Sequence, residues 1–327
     1  MVAATVETLL REQLQERRQK LESAETVVPG DERVRRLLRE VDAALKRMDE
    51  ESFGLCEECH ETIEAERLVG DPLLRYCLDH LSAAQQHALE DDLDLAARVL
   101  QGLLPPPTLR FPGYEVARHY EGAGPISGDY CDVLDARDGS IYFVLGDVSG
   151  KGVAASMLMA HLHATFRALV PLNLPLDQLI GRASRLFCES ALPSHFATLV
   201  CGRAFPTGEI EVTNAGHVPA LIRRGGDIVR IESSGLPIGM FCDERFSVRR
   251  LRLSPEDSIL LYTDGVSESR DPAGEEYGID RLARLMSGSQ SLAPERLLAA
   301  CLRDLTAFRA GAPKADDLAL MAVRRID

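Results

Sequence analysis

Two patterns of apolar residues divide the chain near residue 107. In residues 31–50 apolar side chains recur at intervals of three and four, which predicts an amphipathic helix. Residues 3–25 show a weaker form of the same pattern, and Pro29 and Gly30 between the two segments indicate a turn. We therefore expect a helical hairpin over residues 1–50.

A further helical pattern occupies the segment 83–107 and ends at three consecutive prolines, which cannot continue a helix. Its apolar positions form one stripe: Leu89, Leu93, Ala97, Leu100 and Leu104. The stripe predicts a linker helix that either pairs two protomers into a homodimer or packs onto its own domain.

Residues 108–327 carry short apolar runs rich in β-branched and aromatic residues, which are typical of buried strands. The predicted strands are 113–118, 131–134, 141–145, 197–203, 209–213, 218–222 and 227–231, with further apolar runs at 258–263 and 318–323. The predicted helices are 153–170, 176–192 and 292–310. This mixture of elements indicates one compact α+β domain.

Aspartates stand beside four of these apolar runs. Asp129 precedes one strand, Asp147 ends the next, Asp264 follows a third, and the pair Asp316 and Asp317 precedes the last. A sheet edge that gathered these side chains would suffer strong like-charge repulsion without cations. Because Mg²⁺ and Mn²⁺ take oxygen ligands, the constellation predicts a site for two such ions.

The aspartates lie in five motifs that occur in a fixed order. These are Ser127-Gly-Asp-Tyr-Cys-Asp132, Gly146-Asp-Val-Ser-Gly-Lys-Gly-Val153, Asn214-Ala-Gly-His-Val-Pro219, Tyr262-Thr-Asp-Gly-Val-Ser-Glu268 and Asp316-Asp-Leu-Ala-Leu320. In order and spacing the series resembles the sporulation-type (SpoIIE-like) branch of the metal-dependent PP2C serine/threonine phosphatases. The resemblance implies a sandwich of two antiparallel β-sheets flanked by helices, with the metals at one end.

The resemblance also implies roles for individual residues. Asp147 would bridge the two Mn²⁺ or Mg²⁺ ions, assisted by the backbone carbonyl of Val148. Asp264 and Asp316 would bind one ion, and Asp129 would help to hold the other. Asp147 and Asp264 are thus the expected catalytic residues, and a metal-activated water would attack phosphorus without a covalent intermediate.

The chain departs from the animal members of the wider family at two functional positions. Ser149 stands where those members have a histidine proposed as general acid, and Gly124 stands near the place of their phosphate-binding arginine. Leaving-group protonation and the substrate-binding residues therefore stay unassigned. The choice between Asp316 and Asp317 rests on analogy and favours Asp316.

A second metal-binding pattern lies in residues 51–82. Cys56, Cys59, Cys77 and His80 form two close pairs, the arrangement that tetrahedral Zn²⁺ requires. Four protein ligands leave no open coordination position, so we expect a structural zinc ion.

This segment, following a helical hairpin, resembles the zinc finger of the DksA/TraR regulators, which enter the secondary channel of RNA polymerase. The resemblance makes RNA polymerase a possible partner. The hairpin here is short, however, and its tip, Pro29-Gly30-Asp31-Glu32, lacks the aspartate pattern of that family. His80 also replaces the usual cysteine. A regulatory or dimerising use of the module is therefore favoured.

Composition narrows the class of protein. The 51 acidic residues exceed the 37 basic ones and give a net charge of −14, which argues against direct nucleic-acid binding through a basic surface. The most apolar segment, 153–170, contains His161, His163 and Arg167, which predicts a core helix and no membrane span. No signal peptide is visible, so we expect a cytoplasmic protein whose eight cysteines are reduced.

The remaining cysteines have no paired spacing and are predicted as small core residues: Cys131, Cys188, Cys201, Cys242 and Cys301. His217 is predicted as a structural residue of a strand turn.

The sequence thus predicts a metal-dependent serine/threonine protein phosphatase that carries an N-terminal zinc finger. By family analogy its substrate would be a phosphorylated anti-sigma-factor antagonist. The alternative is an RNA-polymerase-directed zinc-finger regulator whose phosphatase-like domain is a non-catalytic scaffold. The complete acidic set separates the two, because a scaffold has no need for four mutually repelling carboxylates.

Overall fold

The computed structural model describes residues 2–27, 31–50, 52–80, 83–191, 195–288 and 292–327. The chain forms two compact units, Met1–Asp92 and Leu93–Asp327. The predicted hairpin tip at Pro29 and Gly30 lies outside the described residues.

The first unit begins with two helices, α1 (Val2–Val27) and α2 (Glu32–Asp49). They run antiparallel, because Arg11 pairs with Asp49 at 2.7 Å and Arg35 pairs with Glu25 at 2.9 Å. The apolar positions of the two helices form a buried core: Leu10, Leu14, Val41, Ala44 and Met48. The predicted hairpin is therefore confirmed.

The hairpin is followed by a short helix, α3 (Ala65–Gly70), and a 3₁₀ turn, Leu78–His80. Ile63, Leu68, Cys56 and Cys77 pack against the hairpin core, so the cysteine segment and the helices share one apolar cluster. A long helix, α4 (Ala83–Leu103), then runs across the division between the units.

The second unit contains eleven strands within the described residues: β1 (Thr108–Phe111), β2 (Tyr114–Glu121), β3 (Asp129–Asp135), β4 (Ile141–Val148), β5 (Ala197–Ala204), β6 (Glu209–Ala215), β7 (Ala220–Arg224), β8 (Asp227–Ile231), β9 (Arg249–Arg252), β10 (Ser258–Tyr262) and β11 (Leu318–Arg325). They form two antiparallel sheets. Sheet I has the order β1-β2-β11-β10-β7-β8, and sheet II has the order β3-β4-β5-β6-β9.

After α4, the described part of this unit contains the α-helices α5 (Val153–Leu169), α6 (Leu176–Ser190), α7 (Asp264–Ser267), α8 (Ile279–Gly288) and α9 (Pro294–Arg309). One apolar cluster lies between the two sheets. A second cluster joins α5 and α6 to sheet II, and a third joins α8 and α9 to sheet I. The layers are thus helix, sheet, sheet, helix, which confirms the predicted α+β sandwich.

Within the described residues, the segment Val153–Leu172 is long and apolar enough to cross a membrane by length and composition. Its inner side, including Met159, Leu162 and Phe166, is buried against sheet II and α6. Those contacts are the ones predicted for a core helix.

The prediction for two cysteines was wrong. Cys188 on α6 and Cys242 form a disulfide, with their Cα atoms 5.6 Å apart. The pairing has no sequence signal because 54 residues separate the two positions. Cys131, Cys201 and Cys301 are free and buried, as expected of small core residues.

The predicted linker stripe is packed only toward its C-terminal end, since Leu89 at its start is 46% exposed, and the dimer stays a prediction. Leu100 packs against the core of α5, α6 and sheet II, and Leu104 packs against the core between the sheets. These two positions therefore serve intramolecular packing, the second of the two uses that the sequence left open. Leu95 and Val99, on another face of α4, are 53% and 58% exposed.

Candidate metal centre

Asp129 and Asp147 lie side by side on one face of sheet II. They are direct partners in the antiparallel pairing of β3 with β4, so their side chains project from the same face of the sheet. Asp129 is 2% exposed and Asp147 is half-buried. The pairing of edge strand β3 with its neighbour β4 therefore places two carboxylates next to each other at the end of sheet II.

Asp264 and Asp316 come from sheet I. Asp264 follows β10 as the first residue of α7, and Asp316 lies two residues before β11, the neighbour of β10. The turn after Asp264 needs glycine, because a Cβ at Gly265 would collide with the carbonyl oxygen of Asp317. The close backbone approach places the two acidic turns side by side.

Thr263 connects the two sheets at this point. Its hydroxyl donates to Oδ2 of Asp129 at 3.0 Å and accepts a hydrogen bond from the backbone N–H of Ala319 at 3.1 Å. Thr263 is fully buried. Its single hydroxyl therefore holds Asp129 of sheet II against the end of β10 and the start of β11.

Asp317 has a different environment from Asp316. Its carboxylate accepts hydrogen bonds from the N–H of Ala123 at 2.6 Å, the hydroxyl of Ser127 at 2.6 Å and the N–H of Gly128 at 3.3 Å. These bonds use both oxygens to anchor the loop that leads into Asp129. Asp316 instead accepts a bond from Lys151 at 3.1 Å and from its neighbour's N–H at 3.0 Å. The arrangement supports Asp316 as the ligand, which stays a prediction.

Val148 follows Asp147 at the end of β4. Its carbonyl oxygen lies 3.1 Å from the position that a Cβ at Gly128 would occupy. Glycine at 128 therefore keeps space open beside the carbonyl that was predicted as a metal ligand.

The electrostatics show that the acidic side chains converge. Burial and then the charges of Asp264, Asp316 and Asp317 raise the pKa of Asp147 to about 7. Burial and then the charges of Asp147 and Asp317 raise the pKa of Asp129 well above its ordinary value. The pKa of Asp264 is raised by burial and by Asp316. Mutual repulsion of this kind is relieved by a cation.

The donor set fits hard divalent ions, because every candidate ligand atom is an oxygen. Among the described residues, the donor atoms of Cys56, Cys59, Cys77 and His80 all lie within 4.8 Å of one another. The donor atoms of the acidic residues are spread more widely. The wider acidic set suits two ions, which lie about 3.5–4 Å apart in two-metal sites.

The cysteine and histidine cluster of the first unit forms a compact donor set. Sγ of Cys59 lies 3.8 Å from Sγ of Cys77, which lies 3.2 Å from Nδ1 of His80. Burial opposes ionisation of Cys56, but hydrogen bonds from the backbone at Cys59, Cys77 and Glu58 lower its pKa to about 6. Three sulfurs and one imidazole nitrogen at these spacings fit a tetrahedral Zn²⁺.

Sequence reasoning missed several residues at the acidic edge. Lys151 and Thr263 carry no local signal of their partners, because those partners are 165 and 134 residues away. His195 was also missed. Beyond the end of β4, the N–H of Ser149 donates to the carbonyl of Phe196 and the N–H of Phe196 donates to the hydroxyl of Ser149, both at 2.9 Å. They bring Nε2 of His195 to 3.8 Å from the position of a Cβ at Gly150.

His217 has the contacts of a structural residue. Its Nε2–H donates to the carbonyl of Tyr262 at 3.1 Å, which leaves Nδ1 to accept from the Thr198 hydroxyl at 2.8 Å. Burial lowers the pKa of His217 to about 4. The neutral ring therefore joins β5 to β10 below the acidic edge.

This fold and its acidic edge define a PP2C-type phosphatase domain. The family model for Stage II sporulation protein E (SpoIIE) matches residues 137–326, more than half of the chain. The chain belongs to the SpoIIE family.

Curated relatives agree with this assignment. Protein IcfG of Synechocystis is 27% identical over 263 residues, covering 72% of this chain and 41% of IcfG. Phosphoserine phosphatase RsbP of Bacillus subtilis is 26% identical over 197 residues, covering 58% of this chain and 48% of RsbP. The chain spans about half the length of these curated relatives.

The first unit has a relative of its own. The RNA polymerase-binding transcription factor DksA of Haemophilus influenzae is 35% identical over 54 residues, covering 16% of this chain and 37% of DksA. This match and the Cys/His cluster are consistent with a DksA-like zinc finger.

Solved structures share the fold of the second unit. The RsbU and RsbW domains of Rv1364c from Mycobacterium tuberculosis have a TM-score of 0.57 at 26% identity, covering 66% of this chain and 62% of that one. The SiaA-PP2C domain of Pseudomonas aeruginosa has a TM-score of 0.66 at 16% identity, covering 75% and 100%. RsbX in complex with magnesium has a TM-score of 0.53 at 12% identity, covering 67% and 98%.

Proposed function

We propose that the chain is a metal-dependent protein phosphatase that hydrolyses phosphoserine and phosphothreonine on a regulatory protein. The observation that carries the proposal is the convergence of four carboxylates from two sheets: Asp129, Asp147, Asp264 and Asp316. The relatives named as phosphoserine phosphatases support the same chemistry.

Asp147 and the Val148 carbonyl would hold both ions, with Asp129 on one side and Asp264 and Asp316 on the other. Bound there, Mn²⁺ or Mg²⁺ would supply a nucleophilic water at neutral pH and neutralise charge on the phosphoryl group. The chain's own contribution is positioning. Thr263 fixes Asp129, and Asp317 fixes the loop before it, so the ligands need little reorganisation.

The finer assignments belong to the same proposal. The substrate would be a phosphorylated anti-sigma-factor antagonist in the cytoplasm, and a zinc ion bound by Cys56, Cys59, Cys77 and His80 would stabilise the first unit. The alternative, an RNA-polymerase-directed regulator with a scaffold domain, draws on the match to DksA. The complete acidic set favours the enzyme.

Hydrolysis of a phosphoserine peptide tests the proposal. We expect Mn²⁺-dependent phosphate release from phosphoserine and phosphothreonine peptides and at least about tenfold slower release from a phosphotyrosine peptide. The assay should be run on the full chain and on residues 93–327, which retain the packing of Leu100 and Leu104. Turnover by the fragment alone would indicate control by the first unit, whereas turnover by neither protein would favour the scaffold.

For the proposed homodimer, α4 offers a second exposed apolar face besides the exposed start of the predicted stripe at Leu89. Leu95 and Val99 are exposed, whereas Leu100 is packed against its own unit. We expect the double substitution Leu95→Asp with Val99→Asp to convert a dimer into a monomer at micromolar concentration, since it places two charges in an apolar helix contact. Light scattering coupled to size exclusion measures the mass. Gln101→Asp, on the exposed surface of the same helix, is the control. An unchanged mass in the double variant would exclude this pairing face.

A further inference from the structure

Lys151 lies at the acidic edge in a loop with unusual backbone geometry. Its neighbours Gly150 and Gly152 have φ angles of +95° and +77°, a conformation that residues with a Cβ rarely adopt. The loop directs the Lys151 ammonium to Oδ2 of Asp316 and to the carbonyl of Ala315, both at 3.1 Å. The side chain is nevertheless 68% exposed. A cation is thus held at the candidate metal centre on a long side chain that is open to solvent.

The charge of Lys151 also acts on two other acidic groups of the site, Asp147 and Asp264. Its charge lowers the pKa of Asp147 and Asp264, against the larger effects that raise them. The next lysine along this edge, Lys314, is held elsewhere, because it pairs with Glu121 at 3.0 Å and donates to the carbonyl of Gly122. Lys314 therefore contacts the loop before Asp129, whereas Lys151 contacts the candidate metal centre.

The charge balance of the site calls for such a group. Four carboxylates and two divalent ions cancel, so a phosphoserine dianion would enter a site of no net positive charge. Proteins usually bind phosphoryl oxygens with lysine or arginine through charge-assisted hydrogen bonds. With a divalent ion bound at Asp316, the attraction between the ammonium and that carboxylate would be weaker, and the exposed Lys151 side chain could turn toward the open side of the site.

We propose that Lys151 binds the phosphoryl group of the substrate once the site holds metal, and pairs with Asp316 only in the metal-free protein. The inference rests on the proposed metal-dependent phosphatase and adds a substrate-binding residue to it. Lys151 thus exchanges one anionic partner, the carboxylate of Asp316, for another, the phosphoryl group.

The test uses the full chain and two binding measurements that need no turnover. Isothermal titration with Mn²⁺ alone, and then with inorganic phosphate on the Mn²⁺-loaded protein, compares wild type with Lys151→Met and Lys151→Arg. Removing the competing ammonium should tighten Mn²⁺ binding by Lys151→Met about threefold to tenfold. The same variant should bind phosphate about tenfold or more weakly, and Lys151→Arg should restore phosphate binding to within about threefold of wild type.

Lys20→Met is the matched control, because Lys20 is similarly exposed and pairs with Glu16 at 2.6 Å in the first unit. It should change neither affinity. If Lys151→Met bound Mn²⁺ more tightly but phosphate with unchanged affinity, Lys151 would be only a counter-ion of Asp316 and the proposal would be wrong. The proposal would also be wrong if neither affinity changed in this variant. If wild type binds Mn²⁺ and phosphate normally but hydrolyses no phosphopeptide, the proposed function fails while the role of Lys151 is still decided. If wild type binds no Mn²⁺, both fail.

Discussion

Replacing Asp147 with asparagine should abolish hydrolysis and at the same time stabilise the metal-free protein. Asp147 is the proposed ligand of both ions, so we expect its loss to lower kcat/KM by about 10³-fold or more, equivalent to about 4 kcal/mol of transition-state stabilisation. Without metal, the same carboxylate is half-buried among three other acidic groups that raise its pKa to about 7. Asparagine removes that repulsion, so the free energy of unfolding should rise by about 1–3 kcal/mol near pH 7.5.

The stability difference between wild type and Asp147→Asn should also depend on pH, in a direction that follows from the raised pKa of Asp147. A carboxyl whose folded-state pKa is raised to about 7 stabilises the metal-free fold while it is protonated. That contribution is complete below the unfolded pKa of about 4 and is lost as the pH rises toward 7. Buried His217, with its pKa lowered to about 4, has the opposite effect over part of this range. The difference between wild type and Asp147→Asn cancels the contribution of His217.

Thermal unfolding from pH 4 to 8, in buffer free of Mg²⁺ and Mn²⁺ but with zinc retained, measures this difference. The variant should melt several degrees above wild type at pH 7.5, with the gap closing toward pH 4. Asp280→Asn removes an exposed carboxylate that pairs with Arg230, and it should change neither activity nor the pH profile. A variant that keeps its activity, or that melts below wild type without metal, would contradict the assignment of Asp147.

The strands that carry the site could be predicted because their sequences are buried on both faces. β4 is almost entirely buried, and its continuous apolar run ends at the carboxylate of Asp147. Two of the edge strands, β1 and β9, were missed for the converse reason. β9, with the sequence Arg-Arg-Leu-Arg over residues 249–252, is exposed or half-exposed throughout and pairs only with β6. Charged edge strands protect a sheet from further pairing, and they carry no apolar pattern.

The sequence singled out the acidic residues of the candidate site, but not the hydrogen bonds that connect them to the rest of the fold. Asp316 and Asp317 are adjacent and chemically identical, and only the fold gives Asp317 three hydrogen-bond donors from the loop at 123–128. The same limit applies to Lys151, whose partner lies 165 residues away. Sequence patterns indicate which residues lie at the end of a strand. Which of them meet depends on the pairing of two sheets that are distant in sequence.

Replacing Cys56 with serine should unfold the first unit and leave the second folded. The apolar core of the first unit is small, and Cys56 and Cys77 belong to it together with Leu14 and Val41. A domain of this size buries too little apolar surface to be more than marginally stable alone. Structural zinc contributes about 10 kcal/mol or more to such folds. Serine removes one thiolate ligand, so zinc binding and the packing that depends on it should be lost together.

Zinc content by metal analysis and limited proteolysis check this expectation. Wild type should retain one zinc per chain and resist cleavage in residues 31–80, whereas Cys56→Ser should lose the metal and be cleaved there. Cys301→Ser is the matched control, since Cys301 is a free, buried cysteine of α9 in the second unit. It should keep its zinc whatever it does to the second unit. A Cys56→Ser protein with full zinc and an intact first unit would show that this cluster is not the metal site, because three remaining ligands hold structural zinc far more weakly than four.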